Sequence, residues 1–351
     1  MKKLAFMLLL GSFGGAKALE LKTDYLGTLK LGGAITLYGI STTNNTGADK
    51  KTRYDVGSAI INLSKAPEPF GFNIIGGAYS FPVVGAIIAK ATEATDLFSA
   101  LPVAYIEYAP KKGFSIQAGK LPTIIGYESA FTYANNYIQR GLVWNMQPVI
   151  NNGVRLTYST DLLSLKLGLN DGFYTLSTKE PRAALEGSIG ITPIKDGSIS
   201  LNFIIPDKSS KPNKTAAPSN KREFNLLASY ALGNIAIGFD FMHIEAPADS
   251  SAQVPEKAKA NGGALHLSYD LEPLKLSGRL EYVKDDSDSG GIDLVGLGDS
   301  NRGLSLTITP SYKKGTFFIK AEFSYVKADN AFTKSGKKSQ TRAGIEAGFL
   351  F

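Results

Sequence analysis

The sequence predicts an all-β fold: a transmembrane antiparallel β-barrel of about 16 strands (14–18), with long outer loops and short periplasmic turns. Three observations predict it. The chain opens with an export segment, apolar residues recur at every second position along most of the rest, and tight connections alternate with long ones.

Residues 1–18 have the three parts of a secretory signal peptide. Lys2 and Lys3 make a positive start, Leu4 to Gly15 is an apolar run too short to span a bilayer, and Ala16-Lys17-Ala18 is a small-x-small cleavage pattern. A buried N-terminal helix would leave the paired lysines and the Ala-x-Ala unexplained. Residues 19–351 are then read as a single transmembrane barrel. The 38 bases and 31 acids become 35 against 31 once Lys2, Lys3 and Lys17 are removed. Those bases lie singly along the chain rather than on one face, which speaks against nucleic acid as a partner. The absence of cysteine is compatible with an oxidising compartment. Although 43% of residues are apolar, no run after the signal approaches the ~20 that a membrane helix needs.

The apolar residues alternate with polar ones instead, which is the two-residue period of a strand with unlike faces. Leu163, Leu165, Leu167 and Leu169 oppose Ser164, Lys166, Gly168 and Asn170. Leu274, Leu276, Gly278, Leu280 and Tyr282 oppose Lys275, Ser277, Arg279 and Glu281. Phe317, Ile319, Ala321, Phe323 and Tyr325 oppose Phe318, Lys320, Glu322 and Ser324. A soluble β-sandwich alternates too. Lipid outside and water inside is favoured by a repeated unit in which a tyrosine precedes a tight turn, at Tyr108, Tyr158, Tyr230, Tyr269 and Tyr312. Tyrosines at one height would form an interfacial belt.

Tight turns are placed near 66–69, 110–113, 159–162, 192–197, 232–234, 271–273 and 313–315. Long connections fall near 41–51, 80–101, 120–151, 171–182, 206–221, 244–261, 283–301 and 327–339. Seven turns and eight loops separate sixteen strands, and an even number puts both termini on the turn side. Thr52 to Lys65 and Leu101 to Ala109 alternate poorly, hence the spread of about two strands. In lipid the sheet must close, because an unpaired edge would strand its backbone groups. A barrel of about sixteen strands is too wide for its own side chains to fill. The last strand, Gln340 to Phe351, is amphipathic and ends on an aromatic residue, a pattern by which outer-membrane barrels are recognised for insertion.

From Gln117 to Tyr174 a strand ends in Ala118-Gly119-Lys120 and enters a loop through Gly126-Tyr127-Glu128. The chain returns through Pro148 and Gly153-Val154-Arg155, then Leu169-Asn170-Asp171-Gly172. This stretch resembles the OmpL-like family of β-barrel porins; phosphate- and anion-selective porins share a similar Ala-Gly-Lys element. The resemblance implies a porin in the bacterial outer membrane, with outer-membrane lipid and lipopolysaccharide around it and, by analogy with porins of this size, a homotrimer. It also implies that residues 120–151 form a special loop. Thirty-two residues exceed a hairpin connection, and Ile124, Ile125, Phe131, Tyr133, Tyr137, Leu142, Val143 and Trp144 could pack on an inner wall. The loop is expected to fold inward and narrow the pore; an outer cap is the alternative.

Charges at a narrow point set ion selectivity. Glu128 and Arg140 lie on that loop, and Arg155, Lys166, Lys275, Arg279 and Glu281 face the lumen by parity. Their mixed signs predict weak selectivity; each alternatively only keeps the interior wet. Of the two histidines, His266 faces the lumen with Ser268 and Asp270, while His243 faces outward. A hydrolytic site would need these groups in one hydrogen-bonded chain, so no catalytic residue is assigned. Asp285, Asp286, Asp288, Asp293 and Asp299 make an acidic outer loop, but Leu297 stands where a calcium loop needs a bidentate Glu. Loop 206–221, with Pro206, Lys208, Lys211, Pro212, Lys214 and Pro218, reads as flexible and able to touch lipopolysaccharide. Phe81 to Ala94, with Val83, Val84, Ile87 and Ile88, reads as a short helix. No phosphate cradle, Cys/His metal spacing or HExxH occurs, so neither cofactor nor metal is assigned.

The leading expectation is passive diffusion of small hydrophilic solutes or ions through a water-filled lumen. Two alternatives stay open: a solute-specific channel of anion or phosphate type, and a plugged structural or surface-binding barrel. Saturable flux separates the first, and conductance gained on removing residues 123–148 the second.

Overall fold

A strand with one apolar and one polar face is stable in a membrane only when both of its edges are paired. The computed structural model describes residues 18–47, 50–173, 176, 183–207, 221–248, 257–287 and 292–351. Residues 1–17, which make up all but the last residue of the expected signal peptide 1–18, lie outside the described residues, as do Lys208, Lys211, Pro212, Lys214, Pro218 and Asp288.

Among the described residues seventeen strands form. They are β1 Leu19–Thr23, β2 Gly27–Thr42, β3 Thr52–Lys65, β4 Phe70–Tyr79, β5 Val103–Lys111 and β6 Phe114–Pro122, followed by β7 Ile150–Ser159, β8 Leu163–Asn170, β9 Ala184–Ile194 and β10 Gly197–Pro206. The series continues with β11 Arg222–Leu232, β12 Ile235–Ala246, β13 Ala258–Leu271, β14 Leu274–Asp285, β15 Arg302–Lys314, β16 Phe317–Ala328 and β17 Ser339–Leu350. From β2 to β17 each strand pairs antiparallel with the next, and β17 returns to β2 with Glu346 opposite Tyr38 and Phe349 opposite Ile35. The result is a closed sixteen-stranded barrel, with all seven tight turns and eight long connections where the alternation places them.

Parity fixes which face meets which surroundings. On β14, Leu274, Leu276, Leu280 and Tyr282 are exposed outward while Ser277, Arg279 and Glu281 are buried inside. Tyr108, Tyr158, Tyr230 and Tyr269 are exposed at the turn-side ends of their strands, and Tyr108 stacks on Phe70 at 4.8 Å. Both weakly alternating segments are real strands; β3 carries a bulge, which inserts a residue and breaks the period, whereas the β5 irregularity falls at its turn-side end. Thr36 pairs with Ser58 but Leu37 with Val56, leaving Gly57 unpaired; the β5–β6 register shifts between Tyr108 and Lys111.

β1 has no counterpart among the sixteen barrel strands. Five residues are too few for alternation to reveal, yet they have a structural task. β17 covers β2 only as far down as Ala34, after which Phe351 and Gly33 exchange both backbone hydrogen bonds, at 2.7 and 3.1 Å. β1 pairs below that point, Leu19 opposite Leu31, and so covers the rest of the edge. The Phe351 ring lies where a Cβ on Gly33 would stand 2.5 Å from its Cζ. Deleting Phe351 removes two backbone bonds and this packing, and is expected to cost ~2 kcal/mol; urea unfolding in lipid vesicles measures it.

The expected helix over 81–94 is corrected. The helix is α1, Ala91–Phe98, and the preceding segment is irregular: Pro82 and Gly85, at φ 75°, interrupt it, and Val83 forms a bridge with Arg140. Inward positions are not polar throughout, either. At the outer ends of β12, β13, β14 and β16, Met242, Ile244, Ala258, Ala260, Val283 and Val326 face inward and pack on Leu142, Val143, Met146, Leu294, Val295 and Leu297. A second apolar cluster joins the inner face of β2 to β6 with Phe81, Phe98, Phe131 and Trp144.

Candidate pore constriction

The register aligns a row of inward groups across five strands: His266 pairs with Arg279, Arg279 with Thr307, Thr307 with Ser324 and Ser324 with Arg342. Residues 123–149 pack against this row. Their base is closed by the Thr123 N–H donating to the Val149 carbonyl at 3.2 Å.

An irregular segment inside a barrel cannot satisfy its own backbone N–H groups, so side chains must accept from them. Three wall carboxylates do. Glu322 accepts from the Ile138 N–H at 2.6 Å and the Gln139 N–H at 3.1 Å. Glu281 accepts from the Val143 N–H at 3.1 Å and the Ser305 hydroxyl at 2.5 Å. Asp240 accepts from the Tyr127 N–H at 2.9 Å. These contacts tie the segment to the wall at several heights.

The segment's own charges turn inward on it. Arg140 donates to the carbonyls of Ser129 and Ile138 at 3.2 Å each, and to that of Ala130. Its guanidinium also lies 6.0 Å from the Phe81 and Trp144 ring centres. Burial pulls its pKa below the usual arginine value, opposed by the nearby Glu128 carboxylate. Glu128 accepts from the Gly141 N–H at 2.7 Å and from Arg279 Nη1 at 2.5 Å. Burial raises the Glu128 carboxyl and the Arg279 charge opposes that rise.

Arg279 is the hub. Besides Glu128 it holds Glu281 at 3.0 Å, the Gln139 carbonyl at 3.0 Å and the Thr307 hydroxyl at 3.1 Å, with its guanidinium 4.6 Å from the Tyr137 ring centre. Of the seven charged residues singled out in the sequence, Glu128, Arg140, Arg279 and Glu281 meet here. Arg155 is paired elsewhere, with Glu186 at 2.6 Å, and donates to the Pro122 carbonyl at the base of the segment at 2.9 Å. Lys166 and Lys275 are half-buried nearer the turn side, Lys275 3.7 Å from Asp270.

Sequence reasoning missed Glu322 and Arg342 as partners of the segment. Arg342 donates to the Val83 and Ala86 carbonyls at 2.6 and 2.5 Å and to the Gln139 side chain at 3.0 Å, tying the 80–102 connection to the 123–149 segment. Both stand on inward faces that the alternation identifies, and parity was the only signal. His266 stacks on Tyr127 at 4.3 Å, its Nδ1 without a hydrogen-bond partner among the described residues, whereas His243 faces outward onto Asn261 at 2.8 Å. In the acidic outer loop, Asp293 accepts from the N–H groups of Val295, Gly296 and Gly298, and Asp285 from those of Ser287 and Leu294. These carboxylates shape the loop.

A Cβ added at Gly141 would overlap the Glu281 carboxylate. Gly141→Ala is therefore expected to destabilise by ~1–3 kcal/mol, read as a lower midpoint in thermal unfolding followed by circular dichroism.

Residues 28–351 match the sequence family described as "Putative beta-barrel porin-2, OmpL-like". No curated protein sequence matches the chain. Several solved structures share its fold at low identity. OmpT of Vibrio cholerae matches at 15% identity over 95% of this chain and 100% of its own, with a TM-score of 0.63. The outer-membrane channel DcaP of Acinetobacter baumannii matches at 13% over 96% and 100%, TM-score 0.64. The anion-selective porin from Comamonas acidovorans matches at 11% over 92% and 99%, TM-score 0.60.

Proposed function

Because the chain belongs to the OmpL-like family of β-barrel porins, we propose that it passes small hydrophilic solutes or ions by passive diffusion through a lumen narrowed by residues 120–151. The observation that carries this reading is the network joining Glu128 and the backbone of 138–143 to Arg279, Glu281 and Glu322, which fixes a loop across the inner wall. At that height Glu128, Asp240, Glu281 and Glu322 face Arg140, Arg279 and Arg342. Near-balanced charge supports weak ion selectivity rather than an anion-specific site. Liposome swelling with sugars of increasing size tests it: swelling that falls off smoothly with solute size is expected, and saturation by one solute would replace it with the solute-specific reading.

One observation favours a second reading, a barrel that the loops hold shut. The apolar packing of Leu142, Val143 and Met146 on Leu294, Val295 and Leu297 lies within the lumen's outer half, where water would be excluded. Conductance that appears only when residues 123–148 are removed would establish that reading. Residues 1–18 would direct export and be removed. A homotrimer is supported by OmpT of Vibrio cholerae, described also in a trimer form, and lipopolysaccharide would surround the outer half.

A further inference from the structure

The tripeptide Gly126-Tyr127-Glu128, through which the segment enters the lumen, has a use beyond the charge of Glu128. The chain leaves the wall at Pro122, the end of β6, and by Gly126 it has reached β11, which is remote from β6 in the barrel order. Gly126, at φ 86°, donates its N–H to Asn225 Oδ1 on β11 at 3.2 Å, and the Tyr127 N–H goes to Asp240 on β12. Asn225 Nδ2 in turn donates to Asp240 Oδ1 at 2.6 Å, so the two acceptors hold each other.

The Tyr127 ring then covers a gap in the wall. Gly238 of β12 faces the lumen, and a Cβ there would stand 2.5 Å from Cζ of that ring. His266 of β13, directly opposite Gly238 in the register, forms the side of the slot, its ring 4.3 Å from the Tyr127 ring at an interplanar angle of 25°. His266 also meets Tyr137 at 5.7 Å, so one wall side chain touches the outgoing and the returning parts of the segment.

We infer that Tyr127 sets the size limit of the pore, by latching the first arm of the segment into the slot made by Gly238 and His266. It is a positioning residue, and the inference rests on the reading of the barrel as a loop-narrowed diffusion pore. The polar ties of this arm do not fix its place alone. When the arm lifts, the N–H groups of Gly126 and Tyr127 and the Glu128 carboxylate can exchange their partners for water. A ring lifted from the slot has no such substitute, because its stacking partner and the bare backbone beneath it are lost to water together. The slot exists because position 238 lacks a side chain, so the wall and the tyrosine act as one device.

The test compares wild type, Tyr127→Ala, Gly238→Val, the double variant and Tyr127→Phe as full chains, each shown to be folded by circular dichroism. The readouts are the largest sugar that swells liposomes and the single-channel conductance. Tyr127→Ala and Gly238→Val are each expected to admit larger sugars than wild type and to conduct about 1.5–2-fold more. The double variant is expected to match either single one, because a valine in the slot displaces nothing once the ring is gone. Tyr127→Phe returns the ring without its hydroxyl and is expected to restore the wild-type limit. Should Gly238→Val not fold, Tyr127→Ala against Tyr127→Phe decides. A wild-type limit in Tyr127→Ala, a Tyr127→Phe pore as open as that of Tyr127→Ala, or a double variant equal to the product of the two singles would each overturn the latch. Silent wild type beside a conducting Tyr127→Ala would keep the latch and overturn the open-pore reading; silence from every folded variant would overturn both.

Discussion

Replacing residues 124–148 with a short Gly-Ser link is expected to raise single-channel conductance several-fold. The ends of the excised segment are already adjacent, since the Thr123 N–H reaches the Val149 carbonyl at 3.2 Å, so a short link can join them without strain. The flanking strands keep their own pairing, with Lys120 opposite Asn152 and Pro122 opposite Ile150. The groups uncovered on the wall, Arg279, Glu281 and Glu322, are charged and become hydrated when water replaces the loop. Conductance of a wide pore follows its free cross-section, so a sixteen-stranded lumen emptied of this segment should pass ~2–5 times more current. An unchanged conductance in the folded deletion would place the narrowest point elsewhere.

Arg279→Met is expected to be among the most costly single substitutions. The guanidinium contacts Glu128 at 2.5 Å and Glu281 at 3.0 Å, and both carboxylates are buried. Removing the cation leaves two like charges close together with no counter-ion, a loss of ~3–5 kcal/mol for a buried pair broken from one side. Arg279→Lys keeps a charge but cannot reach Glu128, Glu281, the Gln139 carbonyl and Thr307 at once, because it lacks the planar fork. It should fall between wild type and Arg279→Met. Adding Glu128→Gln and Glu281→Gln to Arg279→Met should restore most of the stability, as urea unfolding in vesicles would register. If Arg279→Met unfolded like wild type, the cluster would not hold the loop.

The wall was legible in the sequence because its physics is local. Each residue of β14 declares its side by parity with its neighbours, and turn chemistry separates β13 from β14. Where the period slips, as at Gly57, a bulge intervenes, and single-strand patterns cannot distinguish it from a poor strand. The loop's attachment was legible only in part. Its length and its aromatic content mark residues 120–151 as unusual, but the Ile138 N–H meets Glu322 across 184 positions of sequence, and no local pattern encodes that choice. α1 was displaced for a simpler reason. The apolar residues Val83 to Ile88 outweighed the true start signal, Glu93, whose side chain accepts from the Lys90 N–H at 2.7 Å. The apolar inward faces near Met242 and Val283 were hidden for the opposite reason: alternation gives a side, and polarity within the lumen depends on what the loops bring to it.

Each closed barrel wall is expected to enclose a conducting, loop-narrowed path with balanced charge. A single-channel recording in a planar bilayer across a potassium chloride gradient tests it most directly. Discrete, ohmic steps with a reversal potential close to zero are expected. Silence from demonstrably folded protein, or a reversal potential near the full value for one ion, would contradict it.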